Sequence, residues 1–181
     1  MVLIGWVCFK LKKIFNFFIK KYQKYKFNKI GKSVYIGDNG IFTYKNICIG
    51  NDVYIGANAC FQSTYGEIII GDHVMFGPGV NIHGGNHKIK EIGYLLKHTP
   101  DKKQGDDGRV VIEEDCWIGA NAIILSGVTI GKGSVVAAGA IVTKDIPPYS
   151  IYKGVPPRNL TARFNMHELE LHKKSLEKIY N

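Results

Sequence analysis

The sequence predicts an all-β fold, a triangular solenoid of stacked parallel strands, and three observations predict it. From Ile112 to Ile146 the chain reads in sixes, led by Ile112, Ile118, Ile124, Ile130, Val136 and Val142. Four places after each leader stands a small or branched residue: Cys116, Ala122, Val128, Ser134, Ala140 and Ile146. The same period runs upstream, so that three hexads make one coil and coils begin at Ile30, Ile49, Ile70, Ile112 and Ile130. A period of six fits neither the helical 3.6 nor plain strand alternation, and it is the mark of a repeat architecture.

In chain order, residues 1–29 read as an amphipathic basic helix. Leu3, Val7, Leu11, Ile14, Phe15, Phe18, Tyr22 and Tyr25 recur at helical spacing, while Lys10, Lys13, Lys20, Lys21 and Lys24 fall mostly off that stripe. Two uses compete: a cap or subunit contact at the open end of the stack, or a helix on a membrane surface, with Trp6, Phe9 and Phe17 in the interface. Residues 30–147 form the solenoid. Its coil starts are spaced 19, 21, 42 and 18 residues apart, so the excess over 18 must leave as corner loops, the large one spanning 88–109. Leading Ile and Val residues point inward, and coils about 4.8 Å apart satisfy one another's backbone groups. Residues 148–181 read as an extended tail from Tyr149 to Leu160, followed by a short helix from about Asn165 to Tyr180.

Composition narrows the functions. The net charge is +9, yet nine lysines lie in residues 1–32, no acid precedes Asp38, and the other 15 basic and 15 acidic residues cancel. The basicity therefore belongs to the N-terminal segment, and no nucleic-acid face is expected on the body. Cys8, Cys48, Cys60 and Cys116 form no CxxC pair and read as free thiols of a reducing compartment. With no apolar run long enough to span a bilayer and no signal-peptide pattern, the expected place is the cytoplasm, with the inner face of the membrane open through residues 1–28.

The hexads, the polar loop after coil three, and the segments Trp117-Ile118-Gly119-Ala120-Asn121 and Val142-Thr143-Lys144-Asp145-Ile146-Pro147-Pro148-Tyr149-Ser150 resemble the hexapeptide-repeat acyltransferases. The similar branch is that of maltose, galactoside and capsular-sugar O-acetyltransferases, over about residues 30–163. The resemblance implies a left-handed parallel β-helix of five triangular coils, an exception to the right-handed crossover rule. It also implies a homotrimer with active sites between subunits, acetyl-CoA as donor, no required metal, and a sugar or glycan acceptor. In the motif Gly77-Pro78-Gly79-Val80-Asn81-Ile82-His83-Gly84-Gly85-Asn86-His87 it places the catalytic histidine at His87. Such a group is needed because a sugar hydroxyl attacks a thioester poorly until a base of near-neutral pKa takes its proton. His83, Asn86 and Asn58 are then candidates for the acceptor, although the family's coil-two asparagine is matched cleanly by neither Asn58 nor Gln62. For CoA the matching positions are Trp117, Ala120, Ala138, Thr143, Lys144 and Arg158, with the two cations suited to phosphates.

Other readings stand beside this one. The same scaffold carries N-acetylation of amino or nucleotide sugars. Trimeric β-helix carbonic anhydrases hold a metal on three histidines, and His73, His83 and His87 supply that number; but three residues separate His83 from His87, where that family has four. A purely structural prism is the remaining reading, which His87 and the CoA-type tail argue against.

Overall fold

The computed structural model describes residues 2–89, 95–155, 159–162 and 164–180. After α1 (Val2–Lys26), coil one consists of β1 (Lys29–Ile30), β2 (Tyr35–Ile36) and β3 (Ile41–Phe42). Coil two is β4 (Ile47–Ile49), β5 (Tyr54–Ile55) and β6 (Cys60–Gln62), and coil three is β7 (Ile68–Ile70), β8 (Met75–Phe76) and β9 (Asn81–His83). Coil four is β10 (Val110–Ile112), β11 (Trp117–Ile118) and β12 (Ile123–Leu125); coil five is β13 (Thr129–Ile130), β14 (Val135–Val136) and β15 (Ile141–Val142). Every third strand pairs in parallel, so three sheets stack as the faces of a prism: β1-β4-β7-β10-β13, β2-β5-β8-β11-β14 and β3-β6-β9-β12-β15. The protein is a left-handed parallel β-helix: the hexads predict its triangular coils, and the handedness is the one that the resemblance implies.

The leading residues set the register. Ile30, Ile49, Ile70, Ile112 and Ile130 are aligned partners on the first face. Ile36, Ile55, Phe76, Ile118 and Val136 align on the second, and Phe42, Phe61, Ile82, Ile124 and Val142 on the third. Apart from Ile30, which is half-buried, all of these are buried and form one core. Burying each such side chain contributes on the order of 1.5–3 kcal/mol, so the column as a whole holds the prism together. The residues four places on, from Cys116 to Ile146, are buried too and seal the corners from inside. Burial pushes the Cys116 thiol up to about 12, which makes it an inert core group.

Two of the three corners are uniform. Between the first and second faces a left-handed residue recurs at Ser33, Asp52, His73, Asp115, Gly133 and Tyr149; between the second and third it recurs at Asn39, Asn58, Gly79, Asn121 and Gly139. Asn, Asp and Gly reach this conformation at least cost. Each column is zipped by the same bond, for example Asn121 N–H to Pro78 O at 2.9 Å and Gly139 N–H to Ala120 O at 2.8 Å. A Cβ on Gly119 would lie 2.5 Å from Ala138 N, so the coils close only with a residue lacking a side chain there.

The ends are closed differently. Phe27 covers coil one, its ring 5.5 Å from Phe42 and 4.9 Å from Tyr44, and the aromatic string continues to Phe61 and Phe76. At the other end the expected extended tail is instead a hairpin. Here β16 (Ser150–Lys153) adds to the second face beside β14, and β17 (Asn159–Ala162) returns antiparallel to it. The cause is Tyr152, which occupies the next inward position of the face, is fully buried, and donates its hydroxyl to Ile141 O at 2.7 Å. The last helix, α2 (Met166–Tyr180), starts at a reciprocal cap: Glu168 N–H to Asn165 Oδ1 and Asn165 N–H to Glu168 Oε2, both 2.9 Å.

Candidate active site

The third corner, from the third face back to the first, carries the irregularity. The insertion after β9 opens at Gly84 and closes at Gly108, and both are tied to one point. Ser126 Oγ donates to Gly84 O at 2.9 Å and accepts from Gly108 N–H at 2.8 Å. Ser63 Oγ, from the coil below, donates to Gly66 O at 2.7 Å and reaches Gly84 O at 3.3 Å. A Cβ on Gly84 would lie 2.4 Å from Ser63 Cβ, so this closure needs glycine.

Inside the closure sits a buried carboxylate. Asp107 Oδ1 and Oδ2 accept from Lys102 Nζ at 2.7 and 2.8 Å, and Oδ2 accepts from Tyr65 N–H at 3.1 Å. Burial by itself would raise the Asp107 pKa, but these donors outweigh it and hold the group below the ordinary carboxylate range. A Cβ on Gly85 would fall 2.0 Å from Asp107 Oδ1, so Gly85 lets the chain pass over the carboxylate on its way to Asn86 and His87. Lys88, the next residue, is anchored to Asp106 at 3.4 Å.

His87 is exposed and makes no hydrogen bond or ion pair to the described residues, which leaves its ring nitrogens accessible. It borders a cleft of about 630 Å³ together with Thr64, Tyr65, Thr99 and Asp101. Thr64 and Tyr65 were not anticipated. Their signal was the 21-residue spacing from Ile49 to Ile70, whose surplus falls at this same corner. Asp107 and Lys102 had no sequence signal beyond lying in the insertion, and Ser63 and Ser126, on the connections of other coils at this corner, had none.

The other predicted residues are distributed over the prism. Asn86 is exposed next to His87, and His83 projects outward from the third face between Gln62 and Leu125. Asn58 stands on the second corner, where its Oδ1 accepts from Asn39 Nδ2 at 3.3 Å, so it shares a column with Ala120 and Ala138 rather than a corner with His87. Thr143 and Lys144 are exposed on the third corner of coil five, above the insertion. Trp117 lies on the outer side of the second face and is 52% exposed. Arg158 lies outside the described residues, as do residues 90–94 of the insertion. His73 is on the first corner, 2.9 Å from Asp52. Among the described residues no group of three or more His, Cys, Asp or Glu side chains is placed to hold a metal ion.

The fold agrees with that of relatives of known structure. The chain superposes on a maltose O-acetyltransferase from Clostridium difficile 630 with a TM-score of 0.70 and 30% identity, over 81% of this chain and 74% of that one. The chain belongs to the hexapeptide-repeat acetyltransferases. A hexapeptide-repeat acetyltransferase from Vibrio cholerae O1 biovar eltor, solved in complex with acetyl coenzyme A, superposes with a TM-score of 0.69 and 30% identity, over 79% and 75%. The family model "Hexapeptide repeat of succinyl-transferase" matches residues 109–144. The galactoside O-acetyltransferase of Escherichia coli K12 is 35% identical over 140 residues, 75% of this chain and 64% of that protein. That of Lactococcus lactis IL1403 is 44% identical over 93 residues, 50% and 41%. This hexapeptide-repeat chain thus spans less than two thirds of the length of the curated relatives it matches.

Proposed function

We propose that the protein transfers acetyl from acetyl-CoA to a hydroxyl of a sugar or glycan, with His87 as general base. The observation that carries this reading is His87 itself: an accessible imidazole at the family's histidine position, beside a cleft walled by a polar insertion. In the reaction His87 takes the proton from the acceptor hydroxyl as its oxygen bonds to the thioester carbonyl carbon. The C–S bond of the resulting adduct then breaks, and the imidazolium returns the proton to the departing CoA sulfur.

The donor path runs along coils four and five. Ala120 and Ala138 leave the second corner without a bulky side chain, so an extended pantetheine arm can lie against the backbone. Trp117 offers an exposed indole beside it, while Thr143 and Lys144, on the third corner with His87, and Arg158 take the phosphates and nucleotide. Within one chain, however, Ala120 and Ala138 lie on a different edge of the prism from His87. Transfer requires both halves at one place, so the second corner of one subunit meets the third corner of the next in a homotrimer. The outer side of the second face favours such a contact. Tyr35 and Tyr54 stack at 4.9 Å there, and with Met75 and Trp117 each is about half exposed. Acetyl-CoA as donor places the reaction in the cytoplasm, with α1 holding the enzyme at the inner face of the membrane.

The test is thiol release from acetyl-CoA over a panel of sugars, nucleotide sugars and amino sugars, wild type against His87→Ala. The expected result is turnover with a hydroxyl acceptor that His87→Ala abolishes while remaining a folded trimer. Turnover retained by His87→Ala overturns the assignment, and turnover confined to amines makes the enzyme an N-acetyltransferase.

A further inference from the structure

The most unusual surface of the molecule is α1. At 25 residues it is about 37 Å long. Among the described residues its polar anchors lie in the last third: Lys20 pairs with Asp38 at 2.7 Å, and Lys24 Nζ donates to Val34 O at 2.5 Å. The core beneath is already sealed by Phe27 and Tyr44, so covering it is not what the apolar stripe does. Every side chain described from Ile4 to Phe15 is exposed, and the stripe Ile4, Leu11, Ile14, Phe15, Phe18 and Tyr22 is between 56% and 68% exposed. Leu11, Ile14, Phe15 and Phe18 form a shallow apolar groove of about 550 Å³ along it.

Charge identifies what covers this stripe. The helix holds seven lysines and no acid, while the rest of the chain is close to neutral. A second copy of α1 would bring lysines against lysines, and the prism of a neighbouring copy has no surplus of acid to offer. An anionic lipid surface satisfies both faces at once: acyl chains receive the stripe and headgroup phosphates receive the lysines. In the first half of the helix Lys10 lies 5.2 Å from the Trp6 ring and Lys13 4.9 Å from the Phe9 ring, an amphipathic pairing suited to the headgroup layer. No helix among the described residues is long and apolar enough to cross a membrane, so α1 lies in the interface and does not span it.

We infer that α1 is an in-plane binding site for anionic phospholipid, inserting the Ile4–Tyr22 stripe between headgroups. This rests on the peripheral placement proposed for the enzyme and supplies its chemistry. The test is co-sedimentation of the full chain with vesicles of phosphatidylcholine alone or of equimolar phosphatidylcholine and phosphatidylglycerol, for wild type and for the double variant Phe15→Glu/Phe18→Glu. Expected are pelleting with the anionic vesicles, at least roughly tenfold weaker pelleting with the neutral ones, and loss of both in the variant. Thiol release with a soluble acceptor should be the same in both proteins, which verifies that the variant is folded and reads the proposed transfer separately from lipid binding. Equal pelleting on neutral and anionic vesicles overturns the proposal. So does failure to pellet, and if the wild type is then a higher oligomer that the variant reduces to a trimer, the stripe is covered by another copy.

Discussion

The first two corners of the prism and the third are built on opposite rules. All ten connections at the first two corners are four residues long, such as 31–34, 71–74, 119–122 and 137–140. At the third corner the connections are 43–46, 63–67, 84–109, 126–128 and 143–145, none of which is bound to a common length. The regular corners place a left-handed residue and an inward small residue at fixed steps, so any change of length would put the next strand out of register with its neighbours. The third corner is relieved of this constraint because Ser63 and Ser126 close the chain wherever it returns. Regularity fixes a smooth edge, and the exempt corner is free to grow the insertion that walls the cleft beside His87.

The contrast can be broken at its most reactive point first. His87→Ala at the irregular corner should lower kcat by about 10³-fold, within the range for a lost general base, with no change in thermal midpoint. Ile118→Ala under a regular corner should do the reverse, costing roughly 2–5 kcal/mol in chemical denaturation while the surviving folded fraction keeps its kcat. Asp107→Ala tests whether the insertion is held as a unit. Leaving Lys102 without its partner should cost on the order of 3 kcal/mol, read as earlier proteolysis within 88–109 while the prism stays protected. Gly85→Ala should produce a related defect, since its Cβ would meet the Asp107 carboxylate.

A smaller effect is the acid sensitivity of the insertion. The folded pKa of Asp107 is depressed, so its contribution is present above the unfolded value near 3.8 and is lost as pH falls through the folded value. Hydrogen exchange should therefore show the insertion opening in acid before the prism does, and Asp107→Asn should flatten that difference. Smallest of all is Asn121→Ala at a regular corner. A φ of 56° on a residue with an ordinary Cβ should cost about 1 kcal/mol, and Asn121→Gly should recover most of it.

Much of the fold was legible in the chain. Each coil start read from the hexads, Ile30 to Ile130, is a partner in one parallel column, because an inward branched residue every six positions leaves few other ways to bury the set. The tail was misread because the step from Val142 to Ile146 is four residues instead of six; Ile146 then aligns with Ile130, and Tyr152, six residues on, carries β16 onto the second face. Of the candidate site, His87 and the insertion were visible as a motif and an interruption. Thr64 and Tyr65 were overlooked, since a few surplus residues between coils carry no mark of what they face. The sheet edge likewise decided that Asn58 belongs with Ala120 and Ala138.

By itself the sequence determined the coil: its period, its inward residues, its corner residues and its basic leading helix. Each of these is a local preference repeated often enough to admit one solution. The tertiary structure alone decided that Tyr65, Lys102 and Asp107 would meet beneath Gly85, and that the α1 stripe would stay uncovered. Those outcomes depend on chain closure across more than 40 residues and on which surface is already sealed, and no periodic pattern records either.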